Sequence, residues 1–206
     1  MITIIGAGPA GSYLAYLLSK QGEKVMVLEE HSVVGSPVQC TGIVTHSIEK
    51  FFKLKNDVIA KRLDKVVVVS KSNRITVNVD EIVMWRDRFD RFVADMAQDA
   101  GAEILLGHKF IGFDGKNTII AKDKKNNRTK KISTGIIVGA DGPYSTVAKA
   151  ADMNSNSKNY MGMQAKVRLR MDTASFETHF GNDFPDFFGW VVPESEDTAR
   201  LGIGCF

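Results

Sequence analysis

Apolar positions recur along this chain in three rhythms, and each predicts a different element. Ile2–Ile5 is a short unbroken apolar run, followed by glycines and then by helical spacing from about Pro9 to Gln21. Gly22 ends that helix, and Lys24–Leu28 is a second apolar run. Strand, helix and strand in this order form a β-α-β unit with parallel strands. The mixed stretch Ser47–Lys61 reads as helical, and Val66–Ser70 and Arg74–Val79 read as strands about the turn-like "KSN". From about Asp87 to Ala100, Phe89, Phe92, Val93 and Met96 fall on one face of an amphipathic helix, which Gly101 ends.

Strands then return. Glu103–Leu106, Lys109–Phe113, Thr118–Ala121 and Lys130–Ser133 predict a further parallel strand leading into a β-meander with "KDKKNNRTKK" at its hairpin tip. "GIIVGADG" at 135–142 predicts a buried strand entering a glycine turn, and Ser145–Ala151 starts a helix. Beyond Asn159 the rhythm becomes long alternation: "MGMQAKVRLRM", "SFETHF", "FFGWVVP" and "ARLGIGCF". An Asn- and Ser-rich shift near 152–160 marks the start of a second, antiparallel layer. The expectation is an α/β chain: a Rossmann-like domain with a β-meander over 1–158, and part of an antiparallel-sheet domain over 159–206. Residues 62–86 are expected to lend strands to the latter. Because the sequence stops at Phe206 within an alternating strand, it reads as truncated at its C-terminus.

The 206 residues are 44% hydrophobic and 25% charged, ordinary globular composition. A net charge of +3 gives no support to nucleic-acid binding. Two cysteines, Cys40 and Cys205, are too few for a disulfide framework and fit free thiols in a reducing cytoplasm. The N-terminal apolar run lacks a basic flank and is interrupted by glycines, unlike a signal peptide. No later window has the uninterrupted apolar length of a membrane span. The expected location is cytoplasmic, at most peripheral on the inner face of the membrane. His31, His46, His108 and His179 show no metal-ligand spacing, so no metal is expected.

Gly6-Ala7-Gly8-Pro9-Ala10-Gly11 is a G-x-G-x-x-G between a predicted strand and a predicted helix. The first glycine permits a tight turn, the second lets backbone approach a pyrophosphate, and the third lets helix pack on strand. Ala10 and Gly11 lie in the first helical turn, where N–H groups face an anion. Glu29, the first residue past the second strand, is placed to accept adenosine ribose hydroxyls; Glu30 is its competitor. An acid there disfavours a 2′-phosphate and leaves FAD or NAD.

"GADGPYSTVAKAA" at 139–151 resembles the second flavin fingerprint of the glutathione-reductase-like flavoprotein hydroxylases. The resemblance implies FAD, with Asp141 near the pyrophosphate and ribityl region. Gly142 and Ser145 match, and Ala148 stands where a basic residue is more usual. "WRDRFDRF" resembles the same family's Arg-x-x-Phe-Asp helix start, which implies Arg86, ahead of Arg88, as a pyrophosphate contact. "VVGSPVQCTGIV" at 33–44 resembles the Pro-x-x-Cys-x-Gly segment of the geranylgeranyl reductase family in Pro37, Cys40 and Gly42, although Thr41 separates a Cys and Gly that many members have adjacent. "FFGWVVP" resembles that family's aromatic-x-Trp-x-x-Pro motif in Phe188, Trp190 and Pro193, with Phe for the more usual Tyr, and "TARLGIG" resembles the strand that follows.

The resemblance to the archaeal digeranylgeranylglycerophospholipid reductase type implies an FAD-dependent reductase of prenyl C=C bonds acting on an isoprenoid ether-lipid precursor. It implies Pro37, Gly42, Phe188, Trp190 and Pro193 at a substrate pocket. Phe188, Trp190 and Val192 at alternate positions suit the wall of a dry tunnel. Cys40 is expected near the flavin, as proton donor, substrate-shaping group or small buried residue. The electron donor would be NAD(P)H or a ferredoxin-like protein. The family's third flavin motif does not occur after residue 151, so this piece alone is expected to bind FAD weakly and to be inactive. Rival readings are an aromatic hydroxylase on the same fold, an electron-transfer flavoprotein, and a dinucleotide-binding module without catalysis. The basic run Lys122–Lys131 is either a solvated hairpin tip or a contact for an anionic membrane.

Overall fold

Four apolar residues and a glycine make the first strand short and its exit abrupt. In this computed structural model, which describes residues 1–153 and 159–205, β1 (Ile2–Ile5) leads through the glycine turn into α1 (Pro9–Lys20), and β2 (Val25–Leu28) follows. Next come β3 (Ile43–Thr45), β4 (Ile59–Ser70), β5 (Asn73–Met84) and α2 (Arg86–Asp99). The chain continues through β6 (Glu103–Leu105), β7 (His108–Phe113), β8 (Thr118–Asp123), β9 (Arg128–Ser133) and β10 (Ile136–Gly139) to α3 (Thr146–Ala150). It closes with β11 (Met161–Arg168), β12 (Ser175–Phe180), β13 (Gly189–Pro193) and β14 (Thr198–Cys205).

Two compact units result, Met1–Val38 with Asp87–Asn156 and Gln39–Arg86 with Ser157–Phe206. The first holds a parallel sheet in the order β10-β1-β2-β6 and the meander β7-β8-β9. Central β1 is buried along its whole length, as a strand covered on both faces must be. On one face Ile4, Val25 and Val27 pack with Ala15 of α1 and Ala94 and Ala97 of α2. On the other Ile5 and Leu28 pack with Phe110, Ile119 and Ile132 of the meander and Val147 of α3. The buried stripe of α2 is Phe89, Asp90, Val93, Ala94 and Ala97, so Phe92 and Met96 lie at its margin rather than at its centre.

The second unit is one seven-stranded sheet, β11-β14-β13-β12-β4-β5-β3. It is antiparallel except that β12 runs parallel to β4, with Ser175 opposite Lys65. The helix expected over Ser47–Lys61 is instead two short 3-10 turns, His46–Lys50 and Asn56–Val58, followed by β4 from Ile59. The β4–β5 hairpin extends well beyond both predicted strands, and register shifts at Ile59/Lys61 and Leu63/Lys65 interrupt its alternation. Residues 39–61 belong to this unit together with 62–86. The expected boundary at 158 and the end at Phe206 lie outside the described residues. Among those described, no helix is long and apolar enough to cross a membrane.

Leu63, Val83 and Val192 form the centre of the second unit's core, flanked by Ile43, Phe176 and Trp190. Val192 is fully buried there, in the core that Trp190 flanks. Leu63→Ala is expected to destabilise the protein by about 2–5 kcal/mol, read as a lowered urea midpoint at unchanged slope.

Candidate functional site

In the first unit the strand order places two distant turns side by side. β1 and β10 are parallel neighbours, with Ile5 opposite Gly139, so both chains leave the sheet at the same edge. Strands depart on either side of such a point, and ligands bind in the crevice it creates. Gly6 leaves β1 at φ +101°, donating its N–H to the Leu28 carbonyl (2.8 Å). A Cβ on Gly6 would run into the Ala140 carbonyl, and a Cβ on Gly11 into the Gly6 carbonyl. Around Gly8 nothing lies within 4 Å of a Cβ. Gly8 is also the N-cap of α1, which no side chain caps, with Pro9 at the first helical position. Ala10 is exposed in this first turn. The residues thus leave open backbone and an uncapped helix N-terminus where a diphosphate would approach.

Glu29 faces this turn. Its buried carboxylate accepts the Ala7 N–H (2.8 Å) through Oε2, and the His31 N–H (2.9 Å) and ring Nδ1 (2.7 Å) meet Oε1. Glu30 points elsewhere: it pairs with Lys109 (3.1 Å) and Lys124 (3.8 Å), and the Lys109 hydrogen bond holds its carboxyl below the ordinary range. Across the turn, Asp141 accepts the Ser145 hydroxyl (2.6 Å) and the Thr146 and Val147 N–H groups (2.6 and 3.1 Å). Ser145 in turn accepts the Ala148 N–H (2.9 Å). The Asp-Gly-x-x-Ser spacing therefore caps α3, and Gly142 beside it is exposed. Sequence reading had assigned Asp141 a ligand and missed this cap. Pro37 is exposed after a cis Ser36–Pro37 peptide.

In the second unit, Cys40 is exposed, which excludes its reading as a small buried residue. Its Sγ accepts the Gly42 N–H at 3.4 Å. Gly42 adopts φ +87° and sits so close to β5 that a Cβ would lie 2.5 Å from the Met84 carbonyl. Arg86, half-buried at the start of α2, lies along Gly42. Thr41 donates its hydroxyl to Gln164 of β11 (3.1 Å).

The register then fixes what shares that sheet face. Gln164 is opposite Gly202, and Gly202 is opposite Trp190. With a period of two, Gly162, Gln164, Lys166, Trp190, Arg200, Gly202 and Gly204 all lie on the Cys40 side. Trp190 lies flat on Gly202, and Phe187 covers Gly204. Phe188 stacks on Phe187 (4.3 Å) and meets Trp190 edge-on (6.1 Å). The Trp190 Nε1 is buried without a hydrogen-bond partner, and Pro193 is buried at the end of β13. Four of the resemblance residues in this unit, Cys40, Gly42, Phe188 and Trp190, thus converge on one wall of rings and backbone.

A charged cluster that sequence reading missed underlies this wall. Arg200 donates Nε (2.9 Å) and Nη2 (2.7 Å) to Glu194 Oε1, and Lys166 Nζ is 2.5 Å from Glu194 Oε2. Arg200 and Lys166 both lie over the Trp85 ring, 5.6 Å from its centre. Burial alone would raise the Glu194 carboxyl, but Lys166 and Arg200 outweigh it and hold the group below its ordinary 4.5. The available signal was a Glu and an Arg six residues apart across a predicted strand turn, each beside apolar residues (Val191, Val192 and Pro193; Ala199 and Leu201). Among the described residues no cluster could hold a metal ion.

The model of the FAD binding domain family matches residues 1–201. The chain belongs to that family. FAD is the cofactor of this FAD-binding domain, and the glycine cradle, Glu29 and the Asp141 turn fit it. Digeranylgeranylglycerophospholipid reductase 3 of Methanosphaera stadtmanae is 29% identical over 98% of the chain and 55% of its own length. The chain spans about half the length of the curated relatives it matches. A geranylgeranyl bacteriochlorophyll reductase-like protein of Thermoplasma acidophilum superposes with a TM-score of 0.91 at 24% identity, over 98% of this chain and 55% of its own. The flavin-dependent brominase Bmp2, as a triple mutant, superposes with a TM-score of 0.77 at 18% identity, over 98% of this chain and 56% of its own.

Two outcomes test this geometry. Gly8→Ala should leave the melting temperature unchanged yet weaken FAD binding about tenfold in a flavin-fluorescence titration, because its Cβ enters only the space a phosphate needs. Glu194 contributes stability fully above pH 4.5 and loses it as pH falls through its lower folded value. Unfolding free energy should therefore decline more steeply with acid in the wild type than in Glu194→Gln.

Proposed function

We propose that the protein is an FAD-dependent oxidoreductase that saturates prenyl C=C bonds, with geranylgeranyl chains of an isoprenoid ether-lipid precursor as substrate. One observation carries this reading: the Cys40 turn and the glycine-seated rings occupy one sheet face, in a chain whose relatives include a digeranylgeranylglycerophospholipid reductase. An isolated alkene has no carbonyl to polarise, so selectivity must come from orientation and the exclusion of water. Phe188 and Trp190 offer flat apolar surface for the isoprenoid chain, and Pro37 and Gly42 shape the segment around Cys40. Bound flavin, once reduced, would supply a hydride to one alkene carbon. Cys40, exposed on its turn, holds a proton at Sγ for the other. Gly6, Gly8, Ala10 and Gly11 would seat the diphosphate with Arg86 as a further contact, Glu29 the ribose, and Asp141 and Gly142 the pyrophosphate and ribityl region. NAD(P)H or a ferredoxin-like protein returns the electrons.

The reading extends to a peripheral contact with an anionic membrane. In the β8–β9 hairpin Asp123 turns inward to the Lys125 and Asn126 N–H groups, while Lys125, Arg128 and Lys130 are exposed at the tip. Such a basic tip suits a phospholipid surface that carries the substrate.

The test is anaerobic incubation of the longest available form of the protein, dithionite-reduced, with geranylgeranylated glycerophospholipid, followed by mass spectrometry. Products heavier by pairs of hydrogens are expected. No mass gain from a protein with a reducible flavin would sink the reductase reading, and an oxygen-dependent hydroxylated product would replace it with a hydroxylase. Co-sedimentation with anionic vesicles, lost on replacing Lys125, Arg128 and Lys130 by Ser, tests the membrane contact.

A further inference from the structure

Arg200 is a buried cation on a β-strand, and burying it is costly unless every donor finds a partner. Two of its donors meet Glu194. The remaining nitrogen, Nη1, does not complete a second fork on an acid; it donates to the Thr41 carbonyl and reaches the Met84 carbonyl at 3.5 Å. Thr41 is the residue between Cys40 and Gly42. Met84 is the residue whose N–H bonds the Gly42 carbonyl (2.9 Å). The guanidinium therefore joins the Cys40 turn, the end of β5 and the β13–β14 hairpin at one point, with a planar fork that lysine lacks. Glu194, held in turn by Lys166, fixes the guanidinium plane. A buried pair of this kind adds little net stability over apolar residues, and its best-attested use is to specify one arrangement.

We propose that Arg200 is the positioning residue for Cys40, with Glu194 as its anchor: the pair sets where the thiol stands on the aromatic wall. Its importance for catalysis rests on the reading of Cys40 given above, but the positioning does not.

The test uses the chain with Cys205→Ser, so that Cys40 is the sole thiol. A trifluoromethyl tag on Cys40 reports the turn by fluorine resonance, and hydrogen exchange reports the Gly42 and Met84 amides. The wild-type arrangement should give one narrow resonance. Arg200→Met should broaden or split it and speed exchange of both amides about tenfold, the factor expected for losing one hydrogen bond to a charged group. Arg200→Lys, which keeps the charge without the fork, should fall between the two. Glu194→Gln keeps the shape of the anchor but removes its charge, and should give a smaller change of the same kind even if the Arg200 variants do not fold. An unchanged resonance and unchanged exchange in folded Arg200→Met, or in Glu194→Gln where Arg200→Met does not fold, would overturn the proposal. If these signals shift as expected while the longest available form of the protein, with a reducible flavin, reduces no prenyl lipid, the positioning stands and the reductase reading fails.

Discussion

The first unit depends on the absence of two side-chain carbons. Where β1 and β10 leave the sheet together, the Gly6 turn and the Ala140 carbonyl approach so closely that a Cβ on residue 6 has no room. One turn further, Gly11 permits α1 to lie against the same backbone. Everything else in the cradle follows from that proximity. Helix α1 starts where its N–H groups face the crevice, Glu29 reaches back to the Ala7 N–H, and Asp141 stands one residue beyond the contact. Any change that pushes these two turns apart would dismantle the geometry without touching a polar atom.

The second unit solves a different problem with the opposite means. Its wall is built by adding atoms, with rings laid over glycines and a guanidinium holding three backbone segments together. Glu194 and Arg200 take the places of core residues, with the exposed Lys166 beside them, on a face that also carries Trp190 and Val192. Such a cluster gains little over an apolar core in stability, but tolerates only one arrangement of its neighbours.

Much of this was legible in the sequence, and the limits have physical causes. The β-α-β unit, the meander and the final strands were readable because each keeps a clean period of 3.6 or 2. Ser47–Lys61 was misread because the irregular register at Ile59/Lys61 and Leu63/Lys65 breaks the alternation that would have announced β4. The parallel pairing of β12 with β4 left no trace, since direction is a property of the connection and not of the strand. The motif residues could be picked out singly, while their partners could not. Asp141 as the cap of α3 and Arg200 as a clasp on Thr41 depend on contacts that local pattern does not encode. A charged residue in an alternating strand reads as solvent-facing until a buried counter-charge is known.

The rings seated on Gly202 and Gly204 have an evolutionary consequence. Each aromatic and the glycine beneath it occupy a single volume, so neither can vary alone. A larger residue on β14 evicts the ring, and a smaller ring leaves bare backbone exposed. Relatives should therefore change Trp190 and residue 202 together, or keep both. Covariation of that pair across the family would be the historical imprint of a wall whose depth is set by main chain.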